Sequence, residues 1–334
     1  MPLKLDVIGK THKGLVRKGN EDSLHINTDN NVYAVCDGMG GHQAGEVASM
    51  MTADILDTTY RLFLDALQRD KDLKITKTLP VSGDVLLKSI RLANRAIYNK
   101  AADNTSLHGM GTTVVALAFE NDMLSVAHVG DSRAYRIDKD KLLPLTTDHS
   151  WVAEIQKQQN ISEEEASSVV GKNVITRALG VRDTVEVDYS LIKINKGEKF
   201  LLCSDGLCGY ADDDEIFENL RNHMNDNEAI VDNLIQMAND RGGADNVTII
   251  VVEVLETTTS NLPEVKTFTL PAESDALLLY EDSWIASIRE ALQERLNKKD
   301  GNNKEMPGSK SFLYLLFAFF IVAAFMVVYF AAGN

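Results

Sequence analysis

The amino-acid sequence predicts an α+β fold built on antiparallel β-sheets. Eight short apolar runs have the length and the flanking turn residues of strands, and tight polar links such as "ENDM" and "DKDK" join some of them as hairpins. The helical patterns are grouped in two regions instead of alternating with the strands. Grouped strands and grouped helices are typical of α+β layering, so strictly wound βαβ units are not expected.

The predicted elements follow in a clear order along the chain. "KLDVIGKT" and "NVYAVC" are strands, and two long helices follow over 44–67 and 85–101, where apolar residues recur at a period near 3.6. "TTVVALAF", "MLSVAHVG" and "SRAYRID" are the next strands, and Ser162 with Glu165 has the spacing of a capping box that begins a short helix. "YSLIKI" and "KFLLCS" precede two helices, "DDDEIFENL" and "AIVDNLIQMAND", and the strand "NVTIIVVEV" ends near Val254.

Composition and charge exclude several classes of protein. The 334-residue chain is 44% hydrophobic and 25% charged, which is typical of a globular protein, and its net charge of −15 disfavours nonspecific nucleic-acid binding. Its three cysteines, Cys36, Cys203 and Cys208, form no CxxC pair, so a cysteine zinc site is not expected. All three lie in or beside apolar runs and are interpreted as buried thiols in a reducing compartment.

The C-terminal segment predicts a membrane anchor. Residues 312–332 are apolar and carry no charge, and a helix of about 20 residues spans the hydrocarbon core of a bilayer. A buried core helix is the other interpretation of such a run. The lysines that precede this run predict that the large N-terminal part stays cytoplasmic, so the run is expected to be a single-pass tail anchor. Residues 255–311 are polar and turn-rich and are expected to be a linker, with an amphipathic helix over 280–298 that lies on the membrane or docks on the domain.

Acidic residues stand repeatedly at the ends of the predicted core strands. In "YAVCDGMGG" an apolar run ends in Asp37 and is followed by three glycines, and the same theme recurs in "KFLLCSDG", "VAHVGDS", "GGADNVTII" and "GNEDSL". Each Asp-Gly step has a simpler interpretation as a hairpin turn. If the strand ends meet in space, however, bare carboxylates repel one another and raise each other's pKa, and a bound cation removes that cost.

The expected cation is a hard divalent ion. Carboxylate ligands suit Mg²⁺, Mn²⁺ or Ca²⁺ rather than zinc, and no EF-hand loop pattern is present to favour a calcium sensor. A carboxylate that bridges two ions supports a two-metal site, in which water is activated as a nucleophile. That chemistry suits hydrolysis of phosphoesters.

Eight ordered motifs resemble one family of enzymes. "VRKGNEDS", "VCDGMGGH", "HGMGTTVV", "HVGDSRAY", "TTDHS", "NVITRALG", "CSDGL" and "GGADNVT" are similar to the motifs of bacterial metal-dependent Ser/Thr protein phosphatases, the PPM or type-2C family. The resemblance covers residues 5–254, so residues 1–254 are assigned to a catalytic domain. It implies a four-layer αββα sandwich of two antiparallel sheets flanked by helices.

The resemblance also implies the ligands of the metal ions. Asp37 corresponds to the carboxylate that bridges two Mn²⁺ or Mg²⁺ ions, and Gly38 to the residue that offers its backbone carbonyl to one of them. Asp205 and Asp245 correspond to the other carboxylate ligands of the pair. Glu21 and Asp22 correspond to acidic residues that hold metal-bound waters. Asp131 corresponds to the ligand of a third, weaker site, although a simple turn is the other interpretation of its motif.

Two further residues match catalytic positions of the family. Arg17 corresponds to the arginine that binds the substrate phosphate, although by position alone it is a surface cation. His42 corresponds to the general acid for the leaving alkoxide, although a lone histidine is more often structural. Four other histidines are assigned structural roles: His12, His108, His128 and His149.

The sequence therefore predicts a membrane-anchored phosphatase of phosphoserine and phosphothreonine in proteins. The family association adds a bacterial membrane Ser/Thr kinase as an opposing partner. Two alternatives stay open: a noncatalytic, tethered relative that serves as a scaffold, and an enzyme of small phosphoesters. The family's flap between "DHS" and "NVITRALG" often carries basic residues, whereas "SEEEASSVVGK" is acidic here, so the substrate preference is not predicted.

Overall fold

The computed structural model of the chain describes residues 2–41, 44–69, 79–159, 161–162, 165, 174–258 and 266–270. Six helices lie in these ranges: α1 Ala44–Arg69, α2 Val81–Asp103, α3 Trp151–Gln159, α4 Asp205–Cys208, α5 Asp213–Arg221 and α6 Asn227–Asp240. Twelve strands lie there too: β1 Lys4–His12, β2 Asp22–Asn27, β3 Val32–Met39, β4 Gly111–Thr112, β5 Val114–Glu120, β6 Met123–Val129, β7 Arg133–Ile137, β8 Leu142–Pro144, β9 Val187–Lys193, β10 Lys199–Cys203, β11 Val247–Glu256 and β12 Lys266–Leu270.

The strands form two antiparallel sheets. The first has the order β1-β11-β10-β7-β8, and the second has the order β12-β9-β6-β5-β3-β2, with β4 paired to β3. Apolar side chains from both sheets meet in one core cluster, where the rings of Phe119 and Phe200 lie 5.7 Å apart in an edge-to-face arrangement. The sheets therefore pack face to face, as in a β-sandwich.

Helices cover the outer faces of both sheets. The apolar sides of α5 and α6, which include Phe217 and Ile230, pack against residues such as Ile249 of the first sheet. Helices α1 and α2 pack against each other and against β3 and β5 of the second sheet. The result is an αββα sandwich, which confirms the α+β prediction and the two antiparallel sheets.

The helix boundaries follow local signals in the sequence. Helix α5 begins at a capping box in which the Asp212 carboxylate accepts from the Glu215 N–H and the Glu215 carboxylate accepts from the Asp212 N–H. The predicted capping box of Ser162 and Glu165 is also present, at 2.9 and 3.2 Å, although most residues after it lie outside the described ranges. Helix α2 begins earlier than predicted, directly after Pro80, a residue that suits a helix start.

The region predicted as a linker contains a strand. Strand β12 pairs antiparallel with β9 at the edge of the second sheet, in the register Lys266↔Leu191 to Leu270↔Val187. Its sequence "KTFTL" was missed because it is short and lies within polar, turn-rich surroundings. The predicted amphipathic helix 280–298 and the apolar segment 312–332 lie outside the described residues, and within the described residues no helix is long and apolar enough to cross a bilayer.

Candidate metal centre

Asp37 lies near the end of β3, and its backbone is hydrogen-bonded to two threonines. Its backbone N–H donates to Thr113 Oγ1 at 3.1 Å, and its carbonyl oxygen accepts from the Thr113 N–H and the Thr112 hydroxyl, both at 2.8 Å. Asp22 is its direct cross-strand partner on β2, so two carboxylates stand side by side in the sheet. The strand was predicted to end at Asp37 but continues to Met39, because Gly38 and Met39 pair with β4.

Gly38 is required by the close approach of two backbone segments. A Cβ at this position would lie 2.2 Å from the Gly45 carbonyl oxygen and 2.5 Å from that of Glu21. No side chain fits there, so the first turn of α1 packs directly on the end of β3. The glycine thereby brings Glu21, which precedes β2, and the start of α1 next to Asp37.

Asp205 is the first residue of α4, and one residue, Ser204, separates it from the end of β10. It lies in hydrogen-bonding contact with Asp37, and burial together with the nearby charges of Asp22 and Asp205 raises the pKa of Asp37 well above its usual range. The pKa of Asp205 is raised as well, because the effect of burial exceeds that of the hydrogen bond with Asp37, which lowers it. The Oδ1 atom of Asp205 is buried without a hydrogen-bond partner among the described residues.

Asp22 on β2 is hydrogen-bonded to the start of α4 and to β11. Its Oδ2 atom accepts from the Ser204 hydroxyl at 2.8 Å and the Thr248 hydroxyl at 2.7 Å, while its buried Oδ1 atom has no partner among the described residues. Burial, supported by the nearby charges of Asp205 and Asp245, raises the pKa of Asp22 to about 7. Sequence reasoning did not predict the roles of Ser204, which directly precedes Asp205, and Thr248, which lies on the strand after Asp245.

Asp131 lies on the other side of Asp205. The two residues line a cavity of about 250 Å³ together with Asp148 and Asp213. Burial and the charges of Asp205 and Asp148 raise the pKa of Asp131 to about 7. The structure therefore places this residue beside Asp205, as expected for a ligand of a further ion.

Asp245 and Arg17 lie at the outer edge of the cluster. The Arg17 Nη2 atom donates to Asp245 Oδ2 at 2.6 Å, and half of the arginine side chain stays exposed. The Asn246 side chain fixes this edge, since it accepts from the Glu21 N–H at 2.8 Å and donates to the Lys13 and Gly19 carbonyl oxygens. His42, the predicted general acid, lies outside the described residues.

The donor set fits hard divalent cations. All the side-chain ligands that the cluster offers are carboxylate oxygens, and two buried oxygens lack partners. Among the described residues, no three carboxylates of this cluster bring ligand atoms within 4.8 Å of one another, and Asp245 is paired with Arg17.

A second group of potential ligands lies elsewhere, at His128, His149 and Asp188, whose ligand atoms are within 4.8 Å of one another. A cation already occupies its centre. Arg177 Nη1 lies 2.8 Å from Asp188 Oδ1 and 3.0 Å from His149 Nε2. His128 Nε2 contacts the Thr147 carbonyl oxygen at 2.8 Å, so this group is a hydrogen-bonded ion pair, in line with the structural role assigned to both histidines.

Known proteins resemble this chain in both sequence and fold. The sequence profile of the family described as "Protein phosphatase 2C" matches residues 9–247. The chain belongs to the protein phosphatase 2C family of serine/threonine phosphatases. Membership confirms the resemblance seen in the sequence and the predicted enzyme class, a metal-dependent protein phosphatase that uses Mn²⁺ or Mg²⁺.

Relatives of this phosphatase come from several bacteria. It is 38% identical over 247 residues to "Serine/threonine phosphatase stp" of Listeria monocytogenes, an alignment that covers 73% of this chain and 94% of the relative. It is 34% identical over 257 residues to "Serine/threonine protein phosphatase PstP" of Mycobacterium tuberculosis, covering 76% of this chain and 46% of that protein.

Solved structures show the same fold. Stp1 from Staphylococcus aureus matches with a TM-score of 0.65 at 32% identity, over 76% of this chain and 96% of that one. The catalytic domain of PstP, solved in complex with two manganese ions, matches with a TM-score of 0.62 at 32% identity, over 76% of this chain and 100% of that one. Strand β12 begins well after the last residue that the family profile matches.

Proposed function

We propose that this phosphatase hydrolyses phosphoserine and phosphothreonine in proteins at a two-ion site, Mn²⁺ or Mg²⁺, formed by Asp37, Asp205 and Asp245. The contact between Asp37 and Asp205 carries the proposal. Two carboxyl groups held this close are both ionised near neutral pH only when a cation lies with them. The bonds of the Asp37 backbone to Thr112 and Thr113 hold Asp37 beside Asp205. Ion binding offsets the electrostatic repulsion between the two carboxylates.

The other acidic positions complete the site. Asp37 would be shared by the two ions, and the Gly38 carbonyl would serve one of them. Glu21 and Asp22 would hold waters of the ions, and Asp131 with Asp205 would hold a third ion.

Catalysis then divides between the ions and the chain. When bound, the two ions supply the Lewis acidity that activates water for attack on phosphorus and offsets charge on the phosphate. Arg17 binds the phosphate oxygens with its exposed guanidinium, whose planar fork suits two oxygens. His42 gives a proton to the serine or threonine alkoxide as the P–O bond breaks, because an alkoxide is a poor leaving group.

We also propose a membrane location for the enzyme. Residues 1–254 are the catalytic domain, and residues 255–311 connect it to a tail anchor at 312–332, with strand β12 as a docked part of that connection. The charge-free apolar run and the lysines before it support a single-pass span with a cytoplasmic catalytic domain. This placement raises the local concentration of the enzyme near membrane phosphoproteins, including a Ser/Thr kinase.

The test is phosphate release from a panel of peptides carrying phosphoserine, phosphothreonine or phosphotyrosine. Full-length protein in detergent is assayed with Mn²⁺, Mg²⁺, Ca²⁺ or EDTA. We expect Mn²⁺- or Mg²⁺-dependent release from the first two classes, and none from Asp37→Asn. Equal activity in EDTA overturns the two-ion site, and activity restricted to small phosphoesters favours the alternative substrate class. No activity in any condition favours the noncatalytic scaffold.

A further inference from the structure

Strand β12 closes an otherwise open sheet edge. Without it, β9 would be the edge strand of the second sheet, since the order there is β12-β9-β6. The pairing runs over five residues of each strand, from Lys266↔Leu191 to Leu270↔Val187. The strand lies between the domain that the family profile matches and the predicted anchor, so it is the described segment through which the C-terminal part contacts the enzyme.

Thr269 of β12 contacts a charged group on β9. In the register it stands opposite Asp188, and its hydroxyl donates to Asp188 Oδ1 at 3.0 Å. The same oxygen accepts from Arg177 Nη1 at 2.8 Å, and Asp188 Oδ2 lies 3.3 Å from His149 Nε2. Asp188 is therefore oriented jointly by the C-terminal strand and by two residues of the catalytic domain.

His149 connects this group to the loop that carries Asp131. The backbone N–H of His149 donates to the Gly130 carbonyl oxygen, and the backbone N–H of Gly130 donates to Nδ1 of the His149 ring, both at 3.0 Å. On its other side the ring faces the charged group, with His149 Nε2 lying 3.3 Å from Asp188 Oδ2 and 3.0 Å from Arg177 Nη1. The histidine thus fixes the residue directly before Asp131 in two directions.

The loop in turn contacts the backbone of Asp37. Gly130 has φ of +112°, and a Cβ there would lie 2.6 Å from Thr113, so the two segments are in tight contact. The Ser132 hydroxyl bonds to the Thr113 hydroxyl at 2.7 Å, and Thr113 holds the Asp37 backbone through both its N–H and its hydroxyl. Contacts therefore run without a break from Thr269 to Asp37.

We propose that β12 is a positioning element of the phosphatase, in which Thr269 and Asp188 act through His149 and Gly130 on the loop of Asp131 and on Asp37. The proposal rests on the function proposed above. It makes the segment that leads to the membrane anchor part of the working enzyme. Release of β12 from β9 lowers turnover, and its docking restores it.

A matched pair of variants tests the contact. In full-length protein, Thr269→Val keeps the shape of the side chain and its β-branching but removes the hydroxyl, whereas Thr269→Ser keeps the hydroxyl. We expect Thr269→Val to lower kcat by roughly two- to tenfold, the range of one ordinary hydrogen bond, with little change in KM or in melting temperature. Thr269→Ser should keep wild-type kcat.

A double-mutant cycle tests the coupling itself, since a chain of contacts alone does not demonstrate it. Asp188→Asn should lower kcat on its own, and Thr269→Val should add little in its presence, because both remove the same link. Hydrogen exchange at the amides of Thr113 and Asp37 should rise in Thr269→Val and not in Thr269→Ser.

The outcomes separate the two proposals. Wild-type protein without Mn²⁺-dependent activity overturns the proposed function. Active wild-type protein with unchanged kcat and exchange in Thr269→Val overturns the role of β12, as does full additivity of the two substitutions. A kcat loss in Thr269→Ser equal to that in Thr269→Val also overturns it, because shape and not the hydroxyl would then matter.

Discussion

The guanidinium of Arg17 and the carboxylate of Asp245 form an ion pair of 2.6 Å across 228 positions of the chain. A residue assigned to the substrate phosphate thus contacts a residue assigned to the metal ions. In the proposed site, phosphate and ions therefore lie at the same edge of the cluster, and Arg17 has a partner before substrate binds. Arg17 is half-exposed, so the opposite side of its guanidinium stays accessible.

We expect Arg17→Ala to raise KM for phosphopeptides by roughly tenfold, with a smaller change in kcat, because a positioned arginine binds the phosphate in the ground state as well. The Mn²⁺ concentration for half-maximal activity should stay the same or fall, since a positive charge next to Asp245 is removed. Lys18→Ala, an exposed neighbouring cation, is the control. A tenfold higher Mn²⁺ requirement in Arg17→Ala would instead assign Arg17 to the metal centre.

Asp37→Asn should lower turnover of both p-nitrophenyl phosphate and phosphopeptides by more than about a hundredfold, because the bridging ligand supports activation of water for every substrate. The circular dichroism spectrum should be unchanged. Calorimetric titration with Mn²⁺ should show fewer or weaker sites, and Asp205→Asn and Asp245→Asn should behave alike. Asp140→Asn, on an exposed turn, is the control, and near-normal activity of Asp37→Asn contradicts the two-ion site.

His42→Ala should lower kcat on alkyl phosphates and phosphopeptides more than on p-nitrophenyl phosphate, whose leaving group needs little protonation. The prediction rests on the sequence motif, since His42 lies outside the described residues. Rates on a series of aryl and alkyl phosphates measure it. Equal losses across the series remove the general-acid role.

Metal-free protein should lose stability with rising pH because of Asp22. Burial raises the pKa of this carboxyl from 3.8 to about 7, so the folded state binds a proton that the unfolded state releases between these values. Asp22 therefore leaves the free energy of unfolding unchanged below about pH 4. It lowers that free energy progressively between about pH 4 and pH 7, and the full loss is present above about pH 7. Asp22→Asn should therefore melt several degrees higher than wild type at pH 8 in EDTA, with no difference near pH 4.

Saturating Mn²⁺ is the matched condition for that experiment. The positive charge of the ions offsets the negative charge of Asp22 and the neighbouring carboxylates. The melting temperature of the wild type at pH 8 should therefore rise more than that of Asp22→Asn. An Asp22→Asn variant that is less stable than wild type at pH 8 in EDTA would show that the carboxylate is already compensated within the protein.

Full-length enzyme should fractionate with membranes, and protease added to intact cells should leave the catalytic domain undigested. Removal of residues 312–334 should release the enzyme with kcat on peptides unchanged, because β12 is kept. A truncation after Val254 also removes β12 and should lower kcat. Recovery of the full-length protein in the soluble fraction overturns the anchor, and digestion from outside overturns the orientation.

Local patterns in the sequence determined the elements of this fold and the identity of the acidic residues. The strands depend on neighbours two positions apart, and the helices and the capping boxes at Ser162 and Asp212 depend on neighbours three or four positions apart, all of which are visible in the chain. The positions of Asp37, Asp205 and Asp245 at strand ends could be predicted for the same reason, and the order of the motifs indicated the family.

Only the tertiary structure decided which of these groups touch. The pairing of Arg17 with Asp245, the hydroxyls of Ser204 and Thr248 on Asp22, and the register of β12 on β9 join residues far apart in sequence. A five-residue polar strand carries almost no signal of its own, because it forms only when an open sheet edge offers its backbone N–H and C=O groups. Contacts of this kind depend on distances across the folded sheets, which no local pattern contains.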